Sequence, residues 1–169
     1  MASDRDLWRL TREDASTPAG FAGYIQRALA GQATGTVLPF AIIAQATGAP
    51  TGSTRLGNYV AADRRIEIGW TWIGRPWQRT AVNTEAKLLL LTHVFETLGM
   101  RRVELKTDVL NEPSRRAILR LGAKEEGIFR QHMVTDAGRL RDSIWFSILA
   151  REWDDVKSRL AGALRAREG

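Results

Sequence analysis

The chain has 169 residues, about the size of one domain, and its 25 Lys and Arg against 19 Asp and Glu leave a net charge of +6, which favours anionic partners without choosing among them. The absence of cysteine excludes disulfide scaffolds, thiolate nucleophiles and Cys-ligated metal clusters, and two histidines, His93 and His132, are too few for a His-rich metal site. The acidic run Met1 to Asp6 leads into no apolar stretch and no segment reaches the ~20 residues of a membrane span, so a soluble, cytoplasmic single domain over residues 1 to 169 is expected.

Ser16-Thr17-Pro18 is a helix start signal, and Phe21, Tyr24, Ile25, Ala28 and Leu29 recur at helical spacing until Gly31. Val37 to Ala46 reads as a strand, Thr47 to Pro50 as a turn, Ser53 to Tyr59 as a second strand and Arg65 to Ile73 as a third, together an antiparallel meander. After a break at Gly74 to Thr80, Val82, Ala86, Leu89, Leu90, His93, Val94 and Leu98 predict a long helix capped by Gly99, with His93 on its apolar stripe as a core residue. Arg102 to Val109 is a strand that a crossover places parallel to the third. Asn111-Glu112-Pro113 opens a helix ending at Gly122, residues 127 to 135 and 141 to 149 form a hairpin around Asp136-Ala137-Gly138, and Trp153, Val156, Leu160 and Leu164 mark a last amphipathic helix.

Three places carry chemistry. The loop Gln78 to Asn83 runs from a strand into a helix, so its free N–H groups and the helix dipole suit an anion, and Arg75 and Arg79 add charge; an ordinary connection is the alternative. Glu67 lies inside an apolar strand, where it faces either water or a cleft, and burial would suit it to general-base work. Gly69 shares its face and leaves room for a ligand. Ser114 is inward on its helix, either as a proton donor or bonded to the local backbone. Trp70, Trp72 and Trp77 fall around the same cleft, as an acceptor wall or as core packing; His132 is a further candidate base, or a structural or exposed strand residue; and Arg115, Arg116, Arg120 and Lys124 give one helix a basic face for a phosphate or RNA, with solvent as the alternative.

In that order, the strand Glu67 to Ile73, the loop Gln78-Arg79-Thr80-Ala81-Val82-Asn83-Thr84 and Asn111-x-x-Ser114 followed by Leu121-Gly122-Ala123 resemble the GNAT superfamily of acetyl-CoA-dependent N-acetyltransferases, closest to its RimJ/RimL-like branch. The resemblance spans residues 37 to 153. It implies an α/β (α+β) fold: a mixed, mostly antiparallel sheet, helices on both faces and a parallel, splayed pair at the acetyl-CoA cleft. It implies that Gln78, Arg79, Thr80, Ala81, Val82, Asn83 and Thr84 cradle the pyrophosphate, although Ala81 and Asn83 stand where smaller residues are usual. Trp72 and Ile73 would pair with the pantetheine arm, Asn111 would contact it, and Arg116 would serve the nucleotide phosphate. Glu67 becomes the general base. The family's tyrosine acid falls at Ile118, so Ser114 or solvent protonates the thiolate; Trp70 and His132 would meet the acceptor.

The implied reaction transfers acetyl from acetyl-CoA directly to a primary amine, at a protein N-terminus or on a small molecule, with no metal. At pH 7 an α-amine of pKa about 8 is ~10% neutral and needs ~1 kcal/mol to deprotonate, against ~4.6 for a lysine. Leu7 to Ala15 reads either as the family's first strand and helix start or as a later segment. A missing first strand leaves an edge for a homodimer. Rival readings are a non-catalytic acyl-CoA-binding protein on the same fold and an RNA-associated protein; nucleic acid and membrane are not expected partners.

Overall fold

The computed structural model describes residues 4 to 167; Met1 to Ser3, part of the N-terminal run read for a targeting signal, lie outside it. Alternating apolar residues build six strands: β1 (Val37–Ala44), β2 (Ala49–Val60), β3 (Arg65–Ile73), β4 (Arg102–Asp108), β5 (Lys124–Val134) and β6 (Leu140–Leu149). They form one sheet in the order β1-β2-β3-β4-β6-β5, antiparallel throughout except for the parallel pair β3 and β4. The expected meander, crossover pair and hairpin are all present, each within a few residues of its predicted bounds.

One face of the sheet is apolar. Ile66 and Ile68 of β3, Val103 and Leu105 of β4 and Ile144, Phe146 and Ile148 of β6 point to it by the period of two. They pack against α3 (Val82–Thr92) and the turn that follows it, α4 (Glu112–Leu121) and α5 (Trp153–Arg165) through Leu91, Val94, Ile118, Leu121, Trp153, Val156 and Leu160. The opposite face carries α1 (Arg5–Trp8) and α2 (Pro18–Ala33), where Trp8, Tyr24 and Trp72 form a second cluster. The N-terminal segment is therefore a short helix, no strand precedes β1 among the described residues, and β1 is an edge.

Local signals set the helix ends. The Thr17 hydroxyl accepts from Gly20 N–H at 3.0 Å with Pro18 in the first turn, and α2 runs on past Gly31 to Ala33. Asn111 accepts from Ser114 N–H at 3.1 Å, and α4 ends at Gly122 with φ +96, where a Cβ would overlap the Arg159 guanidinium.

The long helix departs from its predicted face. Leu89 and His93 are exposed, and the buried positions are Lys87, Leu91, Val94 and Phe95. The run Leu88 to Leu91 is apolar all round and so cannot define a stripe, and a wider π turn over His93–Thr97 rotates the end of the helix. His93 is accordingly a surface residue, not a core one.

Candidate active site

The parallel pairing of β3 and β4 runs only from Arg65 opposite Arg102 to Glu67 opposite Glu104. Beyond Glu67 the strands part, leaving a cleft of about 480 Å³ that reaches from the start of α3 to the α1–α2 connection. At this point β3 also bulges against β2: Arg55 pairs with Gly69 but Ser53 with Trp72, so β3 carries one extra residue. Trp70 takes up the irregularity with φ +51, and its carbonyl accepts from the Tyr24 hydroxyl at 3.2 Å.

One end of the cleft is a cradle. Helix α3 starts at Val82 with no side-chain cap at Ala81. Val82 N–H donates to the Thr80 hydroxyl, whereas the N–H groups of Arg79, Thr80, Ala81, Asn83 and Thr84 have no acceptor among the described residues. These donors at the positive end of an eleven-residue helix are suited to a polyanion. Gln78, Arg79, Thr80, Asn83 and Thr84 line the cleft; Ala81 and Val82 do not. Arg79 holds φ +62 and Gln78 donates to Ile73 O at 2.9 Å, which fixes the loop on the end of β3. Asn83 Oδ1 is buried without a partner. Trp72, Ile73 and Asn111 also face the cleft, as does Ser114, whose hydroxyl makes no hydrogen bond among the described residues.

Two basic residues are placed otherwise than expected. Arg75 is held by Asp4 and Asp6, which raise its pKa, so it is not a cradle group. Arg116 turns outward to an exposed ion pair with Glu112 at 2.8 Å, one turn away; Arg120 lines the cleft in its place. Trp77 is not a lining residue either.

At the far end Glu67 is 2% exposed, so the water-facing alternative does not hold. Its Oε2 accepts from Asn58 at 2.6 Å and from the Lys106 ammonium. Its Oε1 has no donor among the described residues and lies over Gly69, where a Cβ would come within 2.7 Å of it. The space that Gly69 provides is thus taken by the carboxylate itself. Trp70 lines this end and Lys106 sits over the ring of Trp145 at 4.7 Å.

His132 does not line the cleft. The register of β5 against β6 slips between Phe129 and Met133, with Gln131 at φ +49, and the imidazole turns to the edges of Phe129 and Trp145, each 5.6 Å away. Burial, with Lys106 and Arg141 nearby, lowers its pKa. Met133 and Arg141 face the cleft instead.

Sequence reasoning missed Lys106, Asn58 and Lys87. Lys106 had a signal: Arg102, Glu104, Lys106 and Asp108 alternate with apolar residues, so four charges share one face of a central strand. Lys87 had one too, at helical spacing from Leu91 and Val94. It is 4% exposed, donates to the Thr54 and Thr71 hydroxyls at 3.0 and 2.6 Å, and burial lowers its pKa to about 7.

No group of three or more His, Asp and Glu placed to hold a metal occurs among the described residues, and no helix among them is long and apolar enough to cross a membrane. Known proteins share this fold. A GCN5-related N-acetyltransferase from Brucella melitensis superposes with a TM-score of 0.88 at 36% identity, over 97% of this chain and 73% of that one. A Mycobacterium smegmatis RimJ in complex with CoA-disulfide gives 0.74 at 27% identity, over 90% and 71%. A Bacillus subtilis (strain 168) protein with the provisional name ribosomal N-acetyltransferase YdaF is 34% identical over 65% of this chain and 59% of its own length. The match thus spans about three fifths of that relative. The family model described as an acetyltransferase (GNAT) domain matches residues 1–124, and the chain belongs to the GNAT acetyltransferase family.

Proposed function

We propose that the chain is an N-acetyltransferase that moves acetyl from acetyl-CoA directly to a primary amine, an α-amine of a peptide or small molecule being the preferred acceptor. The observation that carries this reading is a single cleft with free helix-start N–H groups at one end and a buried carboxylate oxygen without a donor at the other. Membership of the family and the RimJ-like neighbours support it.

Acetyl-CoA supplies the activated acyl group. The N–H groups of Arg79, Thr80, Asn83 and Thr84 hold its pyrophosphate, with Arg79 and Arg120 adding charge, and the splayed edge of β3 at Trp72 and Ile73 takes the pantetheine amides. Asn111 and Ser114 approach from α4. Glu67 Oε1 takes the proton of the attacking amine, directly or through water, while Lys106 and Asn58 hold Oε2 and so fix the carboxylate. Trp70 and Thr71 have no registered partner on β2, so the bulge provides a backbone N–H for the developing oxyanion. The Ser114 hydroxyl donates a proton to the departing thiolate. Trp70 borders the acceptor, and Trp145 backs Lys106.

Calorimetric titration with acetyl-CoA, CoA and ATP, followed by acetyl transfer to a panel of amines with and without a peptide α-amine, tests the reading. Micromolar binding of acetyl-CoA and CoA, weak ATP binding and turnover with α-amines are expected. Binding without turnover across the panel would turn the reading to a non-catalytic acyl-CoA-binding protein, and no binding would overturn both.

A further inference from the structure

The acceptor end of the cleft carries more buried positive charge than its own carboxylates neutralise, and one guanidinium there has no hydrogen-bond acceptor among the described residues. Lys106 is paired with Glu67. Arg55 lies over the Tyr24 ring at 4.2 Å, donates to Tyr24 O and stands 4.0 Å from Glu13, whose other oxygen is taken by Arg27 at 2.7 Å. Asp108, 1% exposed, is taken by Arg139. Arg141 is left over. It is 7% exposed, its guanidinium makes no hydrogen bond among the described residues, and its Nε is buried without a partner. The nearest carboxylate oxygen is Asp108 Oδ2 at 4.0 Å, already occupied by Arg139. A guanidinium stays charged in a protein, and a buried cation without hydrogen-bond acceptors is costly, so this position favours an incoming anion.

Its place in the fold points to the acceptor. Arg141 lies on β6 and lines the same cleft as Glu67, Lys106 and Met133, close enough that the Glu67 charge acts on it. Arg12 lines the mouth and has no ion pair among the described residues. A guanidinium fork without acceptors matches a carboxylate in two parallel hydrogen bonds. A polyamine would meet Arg141, Lys106 and Arg12 as like charges.

We propose that Arg141, with Arg12 at the cleft mouth, binds a carboxylate that the acceptor carries near its reacting amine. The acceptors are then amino acids, or peptides with a carboxylate within the first two residues, rather than plain amines. This rests on the acetyltransferase reading above for the word acceptor, while the anion site itself is open to a test without turnover.

Calorimetry of the protein saturated with CoA would compare two product-like pairs: N-acetyl-L-alanine with N-acetyl-L-alaninamide, and N-acetyl-Ala-Asp-amide with N-acetyl-Ala-Asn-amide. In at least one pair the carboxylate binds about tenfold tighter or more, as expected of a charge-assisted pair. The preference disappears in Arg141→Gln and is partly kept in Arg141→Lys, with CoA affinity unchanged in both. Equal binding within both pairs of the unaltered protein, or a preference that survives Arg141→Gln, overturns the proposal. Absence of turnover on every amine, with the carboxylate preference intact, overturns the acetyltransferase reading and not this one.

Discussion

Lys106 grips Glu67 at the place where the sheet divides: Glu67 opposite Glu104 is the last paired position of β3 and β4, and the ammonium comes from two residues further along β4. The ion pair thus spans the strands at the base of the split. Both side chains are nearly buried, so the pair gains little screening from water and fixes one carboxylate oxygen in place. The other oxygen lies over Gly69 with no donor among the described residues.

Glu67→Gln keeps the shape and an acceptor for Asn58 but removes the base, so kcat is expected to fall by about 10²- to 10⁴-fold with acetyl-CoA affinity unchanged. The variant also leaves Lys106 buried and unpaired, at a cost of about 3–5 kcal/mol. Urea unfolding of Glu67→Gln, Lys106→Met and the double variant separates the two effects. The double variant should be more stable than either single one while remaining inactive. A double variant that regains activity would remove Glu67 from the mechanism.

Lys87 makes stability depend on pH. Burial lowers its folded pKa to about 7 from the ordinary 10.5, so between these values the unfolded chain binds a proton that the folded chain does not, and stability rises with pH. Below about pH 7 both states are protonated and the full cost of burying the charge is present. Lys87→Met, of similar length and uncharged, is therefore expected to stabilise the protein most at pH 6 and progressively less toward pH 10. Thr54 and Thr71, whose hydroxyls are 2.8 Å apart, retain each other. Unfolding curves at pH 6, 8 and 9.5 check this; a difference that does not shrink with pH means that Lys87 is not the titrating group.

The cradle can be tested by charge alone. Asn83→Asp places a carboxylate at the start of α3, where the dipole favours it while the buried Oδ1 position costs it hydration, so folding stability should change little or fall slightly. The same carboxylate faces any bound pyrophosphate, and acetyl-CoA affinity should fall about tenfold or more, whereas Asn83→Ala changes it little. Calorimetry with thermal unfolding reads both. Unchanged affinity in Asn83→Asp would place the phosphates elsewhere.

Much of this fold is legible in the sequence because its signals are local. Period-two alternation marks β3 and β6, Asn111 and Gly122 bracket α4, and Thr17-Pro18 opens α2. Legibility ends where tertiary context decides. The face of α3 is hidden because four consecutive leucines carry no period and the residue that completes the buried stripe is a lysine. His132 reaches the cleft only if its strand is regular, whereas two extra residues on β5 between Phe129 and Met133, with Gln131 at φ +49, turn it away and present Arg141 from the partner strand. The pairing of Glu67 with Lys106 joins residues 39 apart in sequence and depends on two strands meeting in parallel. No local pattern encodes it.

Ser114→Ala isolates the remaining chemical role. The helix should be unaffected, because Asn111 caps α4 through the Ser114 backbone N–H and not through its hydroxyl. Loss of a proton donor to the thiolate should lower kcat without changing acetyl-CoA affinity. Solvent can replace a hydroxyl in this step, so the expected loss is about tenfold, smaller than that of Glu67→Gln and below the 10²- to 10⁴-fold that general acid–base catalysis typically contributes. Acetyl thioesters with better leaving groups need the proton less, so the deficit should narrow as the thiol pKa falls. A deficit of equal size for all thioesters would assign Ser114 to positioning the pantetheine arm, and no deficit at all would leave solvent as the acid.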